Sequence, residues 1–273
     1  MTDQQARYDR IAEGYAQWWS PVHRPATLSL LDRVAPAVQS GATRILDVGC
    51  GTGALAAAAA LRWPAVMVTG IDVSAGMLAV AGRELAALPP GVGDRISLVQ
   101  APADRLPFAD GTFDVVVSSF VLQLVPSPYR ALREARRVLV AGGSLAIAVW
   151  LSGGSLPADD AYAEALAANG FEPPGGGAHE DPATAGQAAA RLRRAGFGGV
   201  ATVETLVDHQ YTPESYLAFV ASFDDEDLFA SLEPAARSSL EADVLDRLRA
   251  LPDAGLRLRL PVVIATAERT GRT

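Results

Sequence analysis

The sequence predicts a doubly wound α/β fold. It should hold a mostly parallel seven-stranded sheet with an antiparallel last strand, an N-terminal helical lid, and a helical cap inserted before that strand. Three observations carry this expectation. Apolar segments of strand length alternate with segments of helical period from residue 44 to residue 150. Those apolar segments are nearly continuous, as strands buried on both faces of a parallel sheet are. The first of them, in "RILDVGCGTGALA" at residues 44–56, runs through a glycine cluster into an alanine-rich helix. That is the strand–turn–helix entry of a ligand-binding sheet.

The elements follow in order. Residues 1–40 read as the lid. Tyr8, Ile11, Ala12, Tyr15 and Trp18/Trp19 recur at i, i+3, i+4, i+7 spacing, and a second helix follows Pro25 through "TLSLLDRVAPAV". Residues 41–150 form the core. Its strands "RILDVG", "AVMVTGID", "RISLVQ", "FDVVVSSF" and "GGSLAIAVW" are separated by helices, one of them capped by Ser74. The alternation implies right-handed crossovers. Residues 151–181 contain "SGG", "EPPGGG" and "EDP" and read as a loop-rich insertion with one helical patch at 158–168. Residues 182–273 complete the sheet. A helix ends at Gly196, the strand "GVATVETLV" follows, and helices at 213–251 are punctuated by Pro213, Pro234 and Pro252. "LRLRLPVVIATAER" closes the chain as a strand antiparallel to its predecessor. The whole is expected to be one structural domain.

Composition excludes several function classes. The formal net charge is -8, which argues against a nucleic-acid partner, because phosphate neutralisation needs clustered cations. All 23 basic residues are Arg, so no mechanism needing a Schiff-base or P-loop lysine is available. Cys50 is the only cysteine, which leaves no disulfide framework and no zinc cluster, and no metal is expected. The polar start "MTDQQARYDR" lacks the apolar core of a signal peptide, and no apolar run reaches membrane-span length. These features lead to the expectation of a cytoplasmic protein with no membrane partner.

Gly49, Gly51 and Ala54 fit the dinucleotide pattern G-x-G-x-x-G/A, while Gly49, Gly51 and Gly53 fit G-x-G-x-G. The glycines alone do not choose between these. Asp47 does. A pyrophosphate seeks a helix N-terminus with no carboxylate beside it. S-adenosylmethionine carries no phosphate, and its ammonium and sulfonium are cations that an ionised Asp47 would attract, directly or through water. Asp72, at the end of the second strand, can accept hydrogen bonds from a ribose diol in either ligand.

The segments "ILDVGCGTGALA", "GIDVSAGML", "APADRLPFADGTFDVVVSSFVLQLV" and "RVLVAGGSLAIAVW" occur in order over residues 40–150. Together they resemble the class I S-adenosylmethionine-dependent methyltransferases, specifically the ubiquinone/menaquinone-type small-molecule branch, and so imply a Rossmann-like fold. "YDRIAEGYAQWW" is similar to that branch's N-terminal lid. The resemblance implies a cofactor loop of Asp47, Gly49, Cys50, Gly51, Thr52 and Gly53. It places Asp72 on the ribose diol and Val73 and Met77 beside the adenine. Ser118 and Ser119 would face the methionine moiety, one pointing in and one out. Tyr8 and Tyr15 would close over the cofactor carboxylate. Pro102 stands where the family carries a polar residue before an alanine. It has neither a polar side chain nor an N–H, so adenine recognition would rest on the Ala103 backbone with Asp104.

Methyl transfer from a sulfonium is an in-line displacement whose main requirement is alignment and exclusion of water. A general base is needed only for a nucleophile that carries a proton. Among His23, His179 and His209, position favours His209, which lies between the penultimate strand and the cap. Relatives often carry a His after the fourth strand. Here Gln123 stands in "VLQLV", and it can orient a substrate but not take its proton. Trp18, Trp19, Phe120, Trp150, Tyr211 and Tyr216, with Phe219 and Phe223, are expected to line an apolar pocket. Such a pocket suits a lipophilic or aromatic small-molecule acceptor of secondary metabolism, methylated on O, N or C. Two alternatives remain at this level. One is a protein of the same fold that binds the cofactor but acts as a cyclase or binding module. The other is an NAD-dependent oxidoreductase, which Asp47 and the absence of a Tyr-x-x-x-Lys motif oppose.

Overall fold

A computed structural model describes residues 3–153, 156–172 and 181–271. Helices α1 (Asp3–Gly14) and α2 (Ser20–Gln39) are joined by a π-helical turn at Tyr15–Trp19. The core then alternates through β1 (Arg44–Val48), α3 (Ala54–Arg62), β2 (Met67–Asp72), α4 (Ala75–Ala86), β3 (Ile96–Gln100), β4 (Phe113–Ser119), α5 (Pro128–Val138) and β5 (Leu139–Trp150). After it come α6 (Pro157–Ala168), α7 (Ala185–Arg194) and β6 (Gly198–Gln210). The cap consists of α8 (Pro213–Phe219), a π-helical turn at Val220–Asp224, α9 (Glu226–Ser231) and α10 (Pro234–Ala250), and β7 (Arg257–Glu268) closes the chain.

The seven strands form one sheet in the order β3-β2-β1-β4-β5-β7-β6. β1 to β5 pair in parallel, and β7 runs antiparallel to both β5 and β6. The expected antiparallel last strand is therefore present, wedged between β5 and its predecessor. Strand order reverses between β1 and β4, and it is beyond the carboxyl ends of strands at such a point that open α/β sheets bind ligands. The central strands are buried on both faces: Ile45, Leu46, Val115, Val116 and Val117 are each fully buried. One apolar cluster joins β1 and β4 to α2, α3, α6 and the cap, a second fills the opposite face beneath α5 and α7, and a small third joins α1 to α4 through Ala12, Met77 and Val80.

The lid departs from the expected boundaries. The second helix begins at Ser20, not after Pro25, and runs through Pro25 and Pro36. Entry through a π turn explains the earlier start. The Ser20 N–H donates to the Tyr15 carbonyl, five residues back, so the helix widens at the turn without ending. The helical patch expected within 151–181 is α6. α6 packs beneath the cap, where the Tyr162 hydroxyl donates to Asp225 Oδ2 at 2.7 Å and Tyr216 donates to Asp159 Oδ1 of α6 at 2.7 Å.

The lid is docked on α4. Ser74 caps α4 as expected, its hydroxyl accepting from the Met77 N–H at 3.1 Å. Asp9 of α1 extends that cap: its Oδ1 accepts from the Ser74 hydroxyl at 2.6 Å and the Gly76 N–H at 2.9 Å. These bonds hold the Asp9 carboxyl below the usual carboxylate range. Gly76 makes the approach possible, because a Cβ there would lie 2.5 Å from the Asp9 carbonyl oxygen. Gly76→Ala should therefore push α1 off α4 and cost about 1–3 kcal/mol, the usual size of an overpacking penalty. Chemical denaturation would measure the loss, and limited proteolysis should show earlier cleavage in residues 3–19. Unchanged stability and cleavage would show that the lid does not depend on this contact.

Candidate active site

A cleft of about 720 Å³ opens at the carboxyl ends of β1, β2 and β4 and is roofed by the lid and the cap. Its wall divides by chemistry. One half is polar: Gly49, Gly51, Asp72, Val73 and the Ala101–Asp104 loop, with Gln4, Gln5, Tyr8 and Tyr15 above. The other half is aromatic: Trp19, Phe120, Trp150, Phe219 and Phe223, with Val121, Leu124 and Leu260. Ser119 lines the same cleft.

The polar half is built on backbone geometry. Gly49, Gly51 and Gly53 have φ of 71°, 53° and 81°, a region costly for side chains with a Cβ. Their roles differ. A Cβ on Gly49 would strike Val121 at 2.2 Å, and one on Gly53 would press Ala81 at 3.2 Å, so these two are packing glycines. At Gly51 the nearest atom would be Tyr15 Cε1 at 3.9 Å, so of the two cleft-lining glycines Gly51 is the one whose missing side chain leaves space. Asp72 ties the two strand-to-helix turns together. Its Oδ2 accepts from the Gly51 N–H at 3.0 Å and its Oδ1 from the Ser74 N–H at 2.9 Å. Burial nonetheless leaves its carboxyl above the usual range. The loop carrying Pro102, Ala103 and Asp104 is held from below by Glu134, which accepts from the Leu106 N–H, and by Arg137, which donates to the Leu106 and Phe108 carbonyls.

Asp47 is only 2% exposed and lies beneath this loop, not in the cleft wall. Its Oδ2 is buried without a hydrogen-bond partner among the described residues. Burial first, and the charge of Asp72 second, push its carboxyl up to about 7. Two carboxylates under a glycine turn disfavour a pyrophosphate and favour a cationic ligand. The donor set thus fits S-adenosylmethionine: Asp72 would hold the ribose diol, and the field of Asp47 would favour the ammonium.

The aromatic half contains one strained residue. Phe120 has φ 57°, the sole non-glycine with positive φ among the described residues, and it is buried. Strain of this kind collects at functional sites and persists only where surrounding contacts hold it. Here the Phe120 N–H donates to Ala148, its carbonyl accepts from Gln123 Nε2 at 2.8 Å, and its ring stacks on Trp150 at 4.0 Å. Gln123 therefore spends its amide N–H₂ on the backbone. Its buried Oε1 has no partner among the described residues and belongs to a cleft-lining side chain.

Of the residues singled out from sequence, the structure gathers Tyr8, Tyr15, Gly49, Gly51, Asp72, Val73, Met77, Pro102, Ala103, Asp104, Ser119, Trp19, Phe120, Gln123 and Trp150 around one cleft. Others it sets aside. Cys50, Thr52 and Gly53 support the loop from behind, with the Cys50 thiol packed over Gly70 and raised well above its ordinary pKa by burial. Ser118 points away from the cleft and donates to the Val48 carbonyl at 2.9 Å, as strand alternation demands when Ser119 faces in. Trp18 packs half-buried against the core. Tyr211 and Tyr216 belong to the cap core, each at least nine-tenths buried. His209 sits on β6, edge-on to Tyr211, outside the cleft wall. His179 lies outside the described residues.

Among the described residues, His23 is the histidine that packs against the cleft-lining rings. It is 5% exposed and packs against Trp19 and Phe120. Its Nε2 lies 2.9 Å from the Tyr15 hydroxyl and its Nδ1 3.1 Å from Thr27 Oγ1, which in turn lies 2.8 Å from Ser119 Oγ. Sequence reasoning passed over this set. His23 and Thr27 stand four apart on α2, a legible spacing, but Ser119 is 92 residues further along the chain.

The comparisons with known proteins agree with this geometry. Residues 46–147 match the methyltransferase domain family. A malonyl-(acyl-carrier protein) O-methyltransferase of Geobacter sulfurreducens is 38% identical over 159 residues, 58% of this chain and 56% of the relative. A demethylmenaquinone methyltransferase of Symbiobacterium thermophilum is 39% identical over 145 residues, 50% of this chain and 54% of the relative. The chain thus spans about half the length of the curated relatives it matches. Among solved structures, the (4+2)-cyclase SpnF superposes with a TM-score of 0.55 at 26% identity, covering 89% of this chain and 81% of that one. In its sheet order, its glycine turn and its paired carboxylates, the chain is similar to the class I S-adenosylmethionine-dependent methyltransferases of the ubiquinone/menaquinone type, and residues 46–147 carry the methyltransferase domain match.

Proposed function

We propose that the protein transfers a methyl group from S-adenosylmethionine to a small lipophilic or aromatic acceptor, on O, N or C. One observation carries the cofactor half of this reading: the buried Asp47, partnerless at Oδ2, beside Asp72 under a glycine turn with no lysine in the chain. The aromatic wall carries the acceptor half, since stacked rings and few polar groups select flat apolar molecules. The acidic net charge supports a small molecule over a nucleic acid. No described helix is long and apolar enough to cross a membrane. Secondary metabolism and a cytoplasmic setting complete the reading.

Bound S-adenosylmethionine would supply the electrophilic methyl on its sulfonium. The chain's own residues supply placement. Asp72, fixed by two backbone N–H groups, presents a pre-oriented carboxylate to a diol. The hydroxyls of Tyr8 and Tyr15 stay protonated, because burial pushes Tyr8 up to about 12 and Tyr15 well above its ordinary value. They are therefore neutral donors suited to a carboxylate. The aromatic wall seats the acceptor against Ser119 and excludes water. His209 does not line the cleft, and alignment is the main contribution. A second reading, cofactor binding with cyclase chemistry, is supported by the similarity to SpnF. Release of S-adenosylhomocysteine on turnover with an acceptor panel would separate the two.

Calorimetry should show S-adenosylhomocysteine binding and no NAD binding; the reverse would overturn the cofactor assignment. Asp72→Asn should weaken S-adenosylhomocysteine by on the order of 100-fold, the worth of two charge-assisted hydrogen bonds. Affinity within a few-fold of the parent would remove Asp72 from the ribose.

The pH dependence follows from Asp47. Its folded pKa, about 7, lies above the unfolded value near 4, so the fold favours the protonated form. In the absence of ligand its contribution to stability is fully present below pH 4 and is lost as pH rises to about 7. The ammonium of a bound ligand prefers the ionised form. S-adenosylhomocysteine should therefore bind more weakly as pH falls below 7, by at most about tenfold per pH unit. Asp47→Asn should flatten both profiles, in thermal unfolding and in calorimetry. A slope that survives the substitution would assign it to another group.

A further inference from the structure

The four side chains Tyr15, His23, Thr27 and Ser119 form a continuous hydrogen-bonded chain from one half of the cleft to the other. Its two ends line the cleft, and its two middle members are buried. Tyr15 lies over Gly51 in the polar half. Ser119 ends β4, next to the stacked Phe120 and Trp150.

The donors and acceptors in this chain are countable. Desolvation lowers the His23 pKa to about 4, so the ring is neutral at neutral pH and carries one proton on one of its two nitrogens. Tyr15, Thr27 and Ser119 each have one hydroxyl proton. A continuous chain of such groups has only two polarities. In the first, Tyr15 donates to His23 Nε2, Nδ1–H donates to Thr27, and Thr27 donates to Ser119, which leaves the Ser119 proton directed outward. In the second, every bond is reversed: Nε2–H donates to Tyr15, Thr27 donates to Nδ1, and Ser119 donates to Thr27. Tyr15 then has its proton free for the cleft, and Ser119 presents only lone pairs there.

We infer that an anionic group accepting from Tyr15 in the cofactor half selects the second polarity, and that Ser119 thereby becomes a hydrogen-bond acceptor for an O–H or N–H nucleophile in the aromatic half. The inference rests on the cofactor reading above, which puts a carboxylate within the polar half. It narrows the acceptor to a molecule whose nucleophilic heteroatom bears a proton. It makes His23 and Thr27 positioning residues, acting through Ser119. Cofactor and acceptor recognition are coupled through bond direction, with no movement of the backbone.

The imidazole tautomer reads the polarity directly. In a His179→Gln, His209→Gln protein His23 is the sole imidazole, and long-range ¹⁵N–¹H correlation distinguishes protonated from unprotonated ring nitrogens. Saturation with S-adenosylhomocysteine, with binding checked by calorimetry, should move Nε2 to the protonated range and Nδ1 to the unprotonated range. The tautomer ratio should change by on the order of tenfold or more, as a charge-assisted bond at Tyr15 implies. Tyr15→Phe should abolish the change. Ser119→Ala removes the acceptor that Thr27 needs in the first polarity, so it should give the Nε2-protonated form without ligand. Binding with an unchanged ratio, or a shift toward Nδ1–H, would overturn the coupling alone. An unchanged ratio in Ser119→Ala would remove Ser119 from the chain and overturn it likewise. S-adenosylhomocysteine that does not bind would overturn the cofactor reading and this inference with it.

Discussion

The carboxylate of Asp72 holds together the parts that make this site. One oxygen accepts from Gly51, in the turn after β1, and the other from Ser74, at the head of α4. Two strand-to-helix turns that are distant in sequence are thereby fixed against each other at the reversal of strand order. The same bonds hold the carboxylate in the cleft wall, so a structural tie and the proposed ribose group are one side chain. Asp9 then extends the tie to the lid through Ser74 and Gly76. The sheet, α4 and α1 are linked by a run of hydrogen bonds that ends at the cleft roof.

Charge sets what this arrangement can hold. Asp47 and Asp72 both bear a raised cost of ionisation, Asp47 from burial and the charge of Asp72, Asp72 from burial and the charge of Asp9. Such a pair is poorly solvated when both members are charged. A cationic ligand relieves that cost, and a phosphate aggravates it. The resemblance of one glycine pattern to two ligand classes is thus resolved by electrostatics beneath the loop. The loop's shape serves either class.

The opposite half of the cleft works by shape. Phe120 is held in a left-handed conformation by its own backbone bonds and by Gln123, and this turns its ring onto Trp150. The π turn at Tyr15–Trp19 places Tyr15 over the glycine loop and stacks Trp19 on Phe223 of the cap. Lid, sheet and cap each supply one wall. None of the three contains the pocket alone.

The sequence by itself determined the sheet, the glycine turn and most of the polar wall. Alternation of apolar runs and helical periods is local, and so are the Ser74 cap and the spacing of Asp47, Gly51 and Asp72. These could be read because each depends on residues close in the chain. Tertiary structure decided what depends on distant pieces meeting. It put Asp47 behind the wall, because β1 is buried on both faces. It carried Tyr211 and Tyr216 into the cap core, because α6 offers Asp159 to Tyr216 and closes the space. It left His209 on β6 and brought His23 behind the cleft wall, in line with Ser119 through Thr27, because the π turn and an unbroken α2 aim that face of the lid at the end of β4. Period and composition describe each helix face. Only packing decides what each face meets.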